Sequence, residues 1–318
     1  MDTFENRIAV VTGGGNGMGR ELVVQLAQAG CHVAFCDLDD DMMQGTLDAC
    51  QDAVDKGVRV TAHRCDVSSE DDLVRFRTEV ETRHDTDHIN LLFNNAGVSG
   101  GQSFVRDDRE QWERVFNICW GGVYLGCRVF MPLLMASDEG HIINTSSVNG
   151  FWACLSSDYE HTAYSSAKFA VKGFSESLVT DFKINAPHLD VSVVMPGHIG
   201  TNIAIASQQL SYGTPEEMSS ENLDRARQRW AKLDPAAAEL DDDSVRQMMR
   251  AGGESFRDDA PTTAAQASAV ILEGVRAGTW RILVGDDAIA LDAEVRAKPE
   301  EAYNPDFMQL IQGTDTKI

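Results

Sequence analysis

Short apolar runs alternate along this chain with stretches whose apolar residues recur every three or four positions. Ile8, Ala9, Val10 and Val11 form a continuous run that stops at glycines, the pattern of a strand buried on both faces. Leu22, Val23, Leu26 and Ala27 then fall on one face of a helix over 20–29, closed by Gly30. The same reading predicts strands at 32–36, 58–60, 89–93, 142–144, 191–194 and 281–284. Helices are expected over 42–54, 109–131 and 164–184, and after Ser68, which is the expected N-cap. Strict alternation of strand and helix specifies an α/β fold, a doubly wound parallel sheet of about seven strands with helices on both faces.

The alternation breaks over 203–261, an acidic, polar stretch with helical pieces such as 221–233. It is too long for a plain connection and is expected to form a substrate-binding lid. With no internal repeat and no Gly/Ser linker, residues 1–318 read as a single domain, with 286–318 a C-terminal tail.

Charge narrows the possible partners. Lys and Arg number 27 against 50 Asp and Glu, for a formal charge of -23. Such a surface repels phosphate backbones and anionic bilayers, so neither nucleic acid nor membrane is an expected partner. No apolar run reaches the roughly 18 residues of a membrane-spanning helix, and the acidic N-terminus lacks a signal-peptide core. The seven cysteines include no CxxC pair, which points to reduced thiols, a cytoplasmic location and no metal site.

The loop from Thr12 through Gly13, Asn16, Gly17, Met18 and Gly19 joins the first strand to the first helix. Glycines admit a pyrophosphate close to the backbone, and the free N–H groups of a helix start favour its charge. Asp37 ends the second strand, where a carboxylate accepts both ribose hydroxyls of adenosine and repels a 2′-phosphate. Position 16 is Asn and position 38 is Leu, so no Arg or Lys is expected nearby to neutralise that phosphate, and NAD is the expected cofactor. These features make the expected sheet Rossmann-like.

Tyr164 and Lys168 stand four apart at a helix start, so phenol and ammonium share a face. A neighbouring cation lowers a phenol pKa and suits it to proton exchange with an alcohol or carbonyl oxygen. Together with Ser147, Asp66-Val67, Asn94-Asn95-Ala96-Gly97 and Pro196-Gly197-His198-Ile199-Gly200-Thr201, these residues resemble the short-chain dehydrogenase/reductase family over about 5–202. The resemblance implies that Gly13, Asn16 and Met18 lie along pyrophosphate and adenosine, and that Asp66 and Val67 flank the adenine. It implies that Asn95, Ala96 and Gly97 support sheet and cofactor, and that Ile199 and Thr201 hold the nicotinamide carboxamide. Tyr164 would be the general acid/base, Lys168 would bind the nicotinamide ribose, and Ser147 would bond the substrate oxygen. The family also implies a homodimer or homotetramer, with Trp120, Val123, Leu125 and Phe130 as a candidate apolar helix face.

Two departures stand out. Cys119 occupies the position of the family's relay asparagine, unless a π-bulge brings Asn117 into that role. The stretch from Ser147 to Tyr164 is about four residues longer than the family's and carries Phe151, Trp152, Leu155 and Tyr159. These side chains either contact a bulky substrate or merely fill local core or a subunit contact. The expected reaction is NAD-dependent interconversion of a bulky apolar or aromatic secondary alcohol and its ketone. An NADPH-type carbonyl or 3-oxoacyl reductase and a non-catalytic NAD-binding sensor or scaffold are the alternatives. His161 and His198 lie near the site and read as exposed loop histidines.

Overall fold

The computed structural model describes residues 1–100, 103–105, 108–154, 160–231 and 234–307. The chain begins with β1 (Ile8–Thr12), α1 (Gly17–Gln28) and β2 (His32–Asp37). Then come α2 (Asp40–Ala49), α3 (Gln51–Val54), β3 (Val60–Arg64), α4 (Glu70–His84) and β4 (Leu91–Asn94). α5 (Arg109–Phe116) passes through a π-helical turn, Asn117–Gly121, into α6 (Gly122–Met135). β5 (Gly140–Thr145), α7 (Thr162–Asn185) and β6 (Leu189–Pro196) follow. The third section holds β7 (Ile199–Gly200), α8 (Ile203–Tyr212), α9 (Ser220–Trp230) and α10 (Asp242–Asp258). It closes with β8 (Thr262–Thr263), α11 (Ala264–Arg276), β9 (Arg281–Val284) and α12 (Asp286–Ala297).

Seven strands form one sheet in the order β3-β2-β1-β4-β5-β6-β9. Every neighbouring pair is parallel. The order reverses between β1 and β4, which opens a crevice at their carboxyl ends. One face packs Leu22, Val23 and Leu26 of α1 with Ile271 and Val275 of α11, while the other packs Phe76, Phe130, Val171 and Leu178. Val123 and Phe130 lie in that second core, so they are not free for a subunit contact.

Where sequence and structure differ, the reasons are local. The edge strand β3 begins two residues later than read, because its buried positions are Thr61 and His63 rather than aliphatics. Ser69, not Ser68, caps α4 by accepting the Asp72 N–H at 3.3 Å; Ser68 instead donates to Asp66. The helix read over 42–54 breaks at Cys50. The continuous rod Arg109–Met135 is long and apolar enough to cross a bilayer, against the sequence expectation, but half of its most apolar window is buried within the fold.

The stretch expected to form a lid carries a small core of its own, Met218, Leu223 and Val245 with Tyr212, Trp230 and Met249 around them. Leu233, at the end of the helical piece read there, lies outside the described residues. The described part of the supposed tail is an integral element: α12 and Ala302 and Phe307 beyond it enclose Trp152, while 308–318 lie outside the described residues.

Candidate active site

The phosphate end of the crevice is built from glycine geometry. Gly13 has φ +67, and a Cβ there would stand 2.9 Å from Ala96 Cα. A Cβ on Gly19 would meet the Gly13 carbonyl at 1.9 Å, so helix and strand approach as only glycine allows. Asn16 caps α1, its Oδ1 accepting the Gly17 N–H at 2.7 Å. The first turn of α1 carries no acidic side chain, so its dipole and N–H groups remain suited to an anion.

A cleft of about 420 Å³ runs from this loop along the strand ends. Gly13, Asn16, Gly17, Met18, Asp37, Asp66, Val67, Asn95, Ala96, Gly97 and Thr201 line it, which brings most of the expected cofactor residues together. Gly19 and Ile199 stand behind its walls: Gly19 is buried in the first turn of α1, and Ile199 in β7, paired with Thr262. The Asp37 carboxylate is fixed by two backbone donors, Gly15 N–H at 2.9 Å and Leu38 N–H at 2.7 Å. Asp66 accepts the N–H and hydroxyl of Ser68 on one oxygen. The glycine cradle, the bare helix start and the oriented carboxylate fit a dinucleotide.

One neighbour was not legible in sequence. Arg64 pairs with Asp37 across β2–β3 and donates to the Leu38 carbonyl at 2.6 Å and to Asp40 at 3.3 Å. The expectation that no cation stands near the end of β2 is therefore corrected. Sheet register, not sequence distance, puts it there.

Ser147, Tyr164 and Lys168 meet beside the cleft. Ser147 follows β5, Tyr164 and Lys168 sit in the first two turns of α7, and Ser147 hydrogen-bonds Tyr164. The Lys168 ammonium is buried, donates to the Thr145 carbonyl at 2.8 Å and lies 5.3 Å from the Tyr164 ring centre. A Cβ built on Gly97, in the cleft wall, would stand 3.5 Å from Lys168 Nζ and 3.7 Å from Cys119 Sγ. Burial lifts the Tyr164 phenol above its usual range, helped by the Cys119 thiol and opposed by the Ser147 hydrogen bond. Burial also lowers the Lys168 ammonium. The sequence expectation that Lys168 depresses the phenol is thus outweighed by desolvation.

The π-turn at Asn117–Gly121 is present, yet Asn117 stays exposed. Cys119 points inward, fully buried, its thiol donating to the Val98 carbonyl at 3.2 Å. The family's asparagine position is therefore held by a thiol even with the helix irregularity.

Phe151 and Trp152 do not line the cleft. Trp152 is 1% exposed, donates its indole N–H to the Ala302 carbonyl at 2.7 Å and packs edge-on against Phe307 at 5.9 Å. Phe151 packs against the same cluster, under the Arg281 guanidinium at 5.7 Å. Of the two readings offered for these rings, core filling is the one they serve. Leu155 and Tyr159 fall outside the described residues. The apolar wall of the cleft comes instead from Val98, Ile118 and the lid residues Ile203, Ala206 and Leu210. The spacing of those three along α8 was the available signal. His198 anchors its own loop: its N–H donates to the buried Asp287 carboxylate at 2.6 Å, and its Nε2 lies 2.7 Å from the Phe256 carbonyl.

A parallel sheet with this switch point, a glycine-loop cleft and a Ser-Tyr-Lys cluster beside it define a dinucleotide-dependent oxidoreductase. The short chain dehydrogenase family profile matches residues 7–210, and the chain belongs to that family. An oxidoreductase of Mycobacterium tuberculosis, SadH, is 29% identical over 93% of this chain and 92% of its own. Epidermal retinol dehydrogenase 2 of Homo sapiens is 30% identical over 62% of this chain and 61% of its own. Among solved structures, a short chain dehydrogenase/reductase from Burkholderia phymatum in complex with NAD superposes with a TM-score of 0.74. It is 25% identical and covers 95% of both chains.

Proposed function

We propose that the protein is an NAD-dependent dehydrogenase that interconverts a bulky apolar or aromatic secondary alcohol and its ketone. The observation that carries this reading is the meeting of Ser147, Tyr164 and Lys168 beside a cleft whose far end holds the Asp37 carboxylate. The dinucleotide, when bound, supplies the hydride acceptor. The backbone of the Gly13–Gly19 loop and the start of α1 hold its pyrophosphate, and Asp37 takes the adenosine ribose hydroxyls. The Ile199 backbone and the Thr201 hydroxyl take the carboxamide, and Lys168 takes the second ribose. Ser147 and Tyr164 grip the substrate oxygen from two hydroxyls, and in the oxidative direction Tyr164 accepts its proton. The apolar lid face supports a large hydrocarbon substrate, as does the likeness to a retinol dehydrogenase.

Arg64 supports a second reading, an NADPH-type carbonyl reductase, because its guanidinium stands beside the end of β2, on the Leu38 carbonyl next to Asp37. A panel of bulky secondary alcohols and ketones, run with NAD(H) and NADP(H) and followed by reduced-nicotinamide absorbance, separates the two. Turnover with NAD at least about tenfold above NADP is expected from carboxylate–phosphate repulsion. A preference for NADP overturns the Asp37 argument, and tight NAD binding with no turnover across the panel favours the non-catalytic reading.

A further inference from the structure

His161 stacks on the Tyr164 ring, with centroids 4.7 Å apart and planes 16° from parallel. It is 5% exposed and occupies the residue before α7, three positions ahead of the tyrosine. Its Nε2 lies 3.3 Å from the Ser99 hydroxyl. The Ser99 N–H in turn donates to the hydroxyl of Ser207 at 2.7 Å. Ser207 is buried, one turn into lid helix α8. A single chain of contacts therefore runs from the lid through Ser99 and the imidazole to the phenol. Burial, with Arg229 opposing a second charge, pushes the His161 pKa down to about 4, so the ring is neutral at physiological pH and offers one donor and one acceptor.

We propose that His161 is a positioning residue for Tyr164, clamping the face of the phenol and tying its orientation to the docked lid through Ser99 and Ser207. The inference rests on Tyr164 being the general acid/base. A flat ring held on one face fixes the tilt of the phenol, and proton transfer is steeply sensitive to that tilt. The link to α8 lets the element that lines the substrate side also set the acid/base, so substrate enclosure and proton transfer are aligned by the same hydrogen bonds. α8 has a second anchor, the Arg114 guanidinium on the Leu210 carbonyl at 3.2 Å, so cutting the serine link does not release the helix.

The test is a double-mutant cycle of His161→Phe, which keeps the stack but loses the ring nitrogen, and Ser207→Ala, which cuts the other end. Each is expected to lower kcat by about tenfold with the dissociation constant for NAD unchanged, and the double variant to be no slower than either single. Singles within about twofold of wild type, or losses that multiply in the double, overturn the clamp. A readout independent of turnover is the tyrosinate difference titration of the purified protein against Tyr164→Phe. In His161→Ala, water reaches the exposed ring face and the Tyr164 midpoint falls, since burial is what raises it; an unchanged midpoint overturns the proposal. Where a His161 variant does not fold, Ser207→Ala alone decides by kcat. Full turnover in Tyr164→Phe overturns the acid/base assignment itself, whereas turnover lost in Tyr164→Phe but intact in the cycle overturns only the clamp.

Discussion

At the scale of single residues, the site is governed by desolvation. Tyr164 has a cation four residues on, yet burial dominates its protonation and holds it as a phenol. The sign follows directly: a base must be unprotonated, so oxidation should accelerate as pH rises above neutrality, whereas reduction, which uses the phenol as acid, should not. Steady-state rates in both directions across pH test this, and an oxidative rate flat from neutral to alkaline pH would contradict it. The sequence carried the identities of these groups, because a four-residue spacing, a glycine loop and a strand-end carboxylate are local patterns. It did not carry Arg64 beside Asp37 or His161 on Tyr164, because a cross-strand register and a ring stack depend on how the chain folds back. Nor does a sequence tell that Cys119 turns inward while Asn117 faces solvent across the same π-turn.

At the scale of elements, the segment beyond α12 supports the loop that follows Ser147. Asn149 donates to the carbonyls of Trp152 and Cys154 at 3.0 and 3.2 Å, and Trp152 and Ala153 are in turn bonded to Ala302 and Tyr303. Trp152→Ala removes the largest side chain of that cluster and should cost about 3–5 kcal/mol in chemical denaturation. A loss under about 1 kcal/mol would mean the segment does not hold the loop. Buried central strands such as β1 were legible because both their faces read apolar, whereas edge strand β3 was read two residues early, since its inward positions are Thr61 and His63. The aromatic loop misled for a related reason: a tryptophan beside a catalytic serine looks the same in sequence whether it faces a ligand or a distant helix.

At the scale of the whole molecule, buried neutral histidines set the acid limit of stability. Thr61 joins His63 and His84 at 2.8 Å each beneath β3, and burial pushes His84 down to about 4 and His141 to about 3. Their folded values lie below the ordinary 6.5, so stability is full above that value and is lost as pH falls toward the folded ones. His84 alone withholds about 3 kcal/mol by pH 4. Urea denaturation from pH 7 down to 5 should show the decline, and His84→Gln should reduce it; an unchanged slope in that variant would contradict the assignment. The fold class was legible because alternation of strand and helix admits few topologies. The folded lid was not, because its small core is spread over three helices in an acidic stretch. The central claim, that this fold passes a hydride between NAD and an alcohol whose proton Tyr164 handles, is tested most directly by comparing wild type with Tyr164→Phe on the first alcohol that supports NAD reduction. The account predicts a loss of about 10²–10⁴-fold in kcat with NAD binding intact; wild-type turnover in the variant would contradict it.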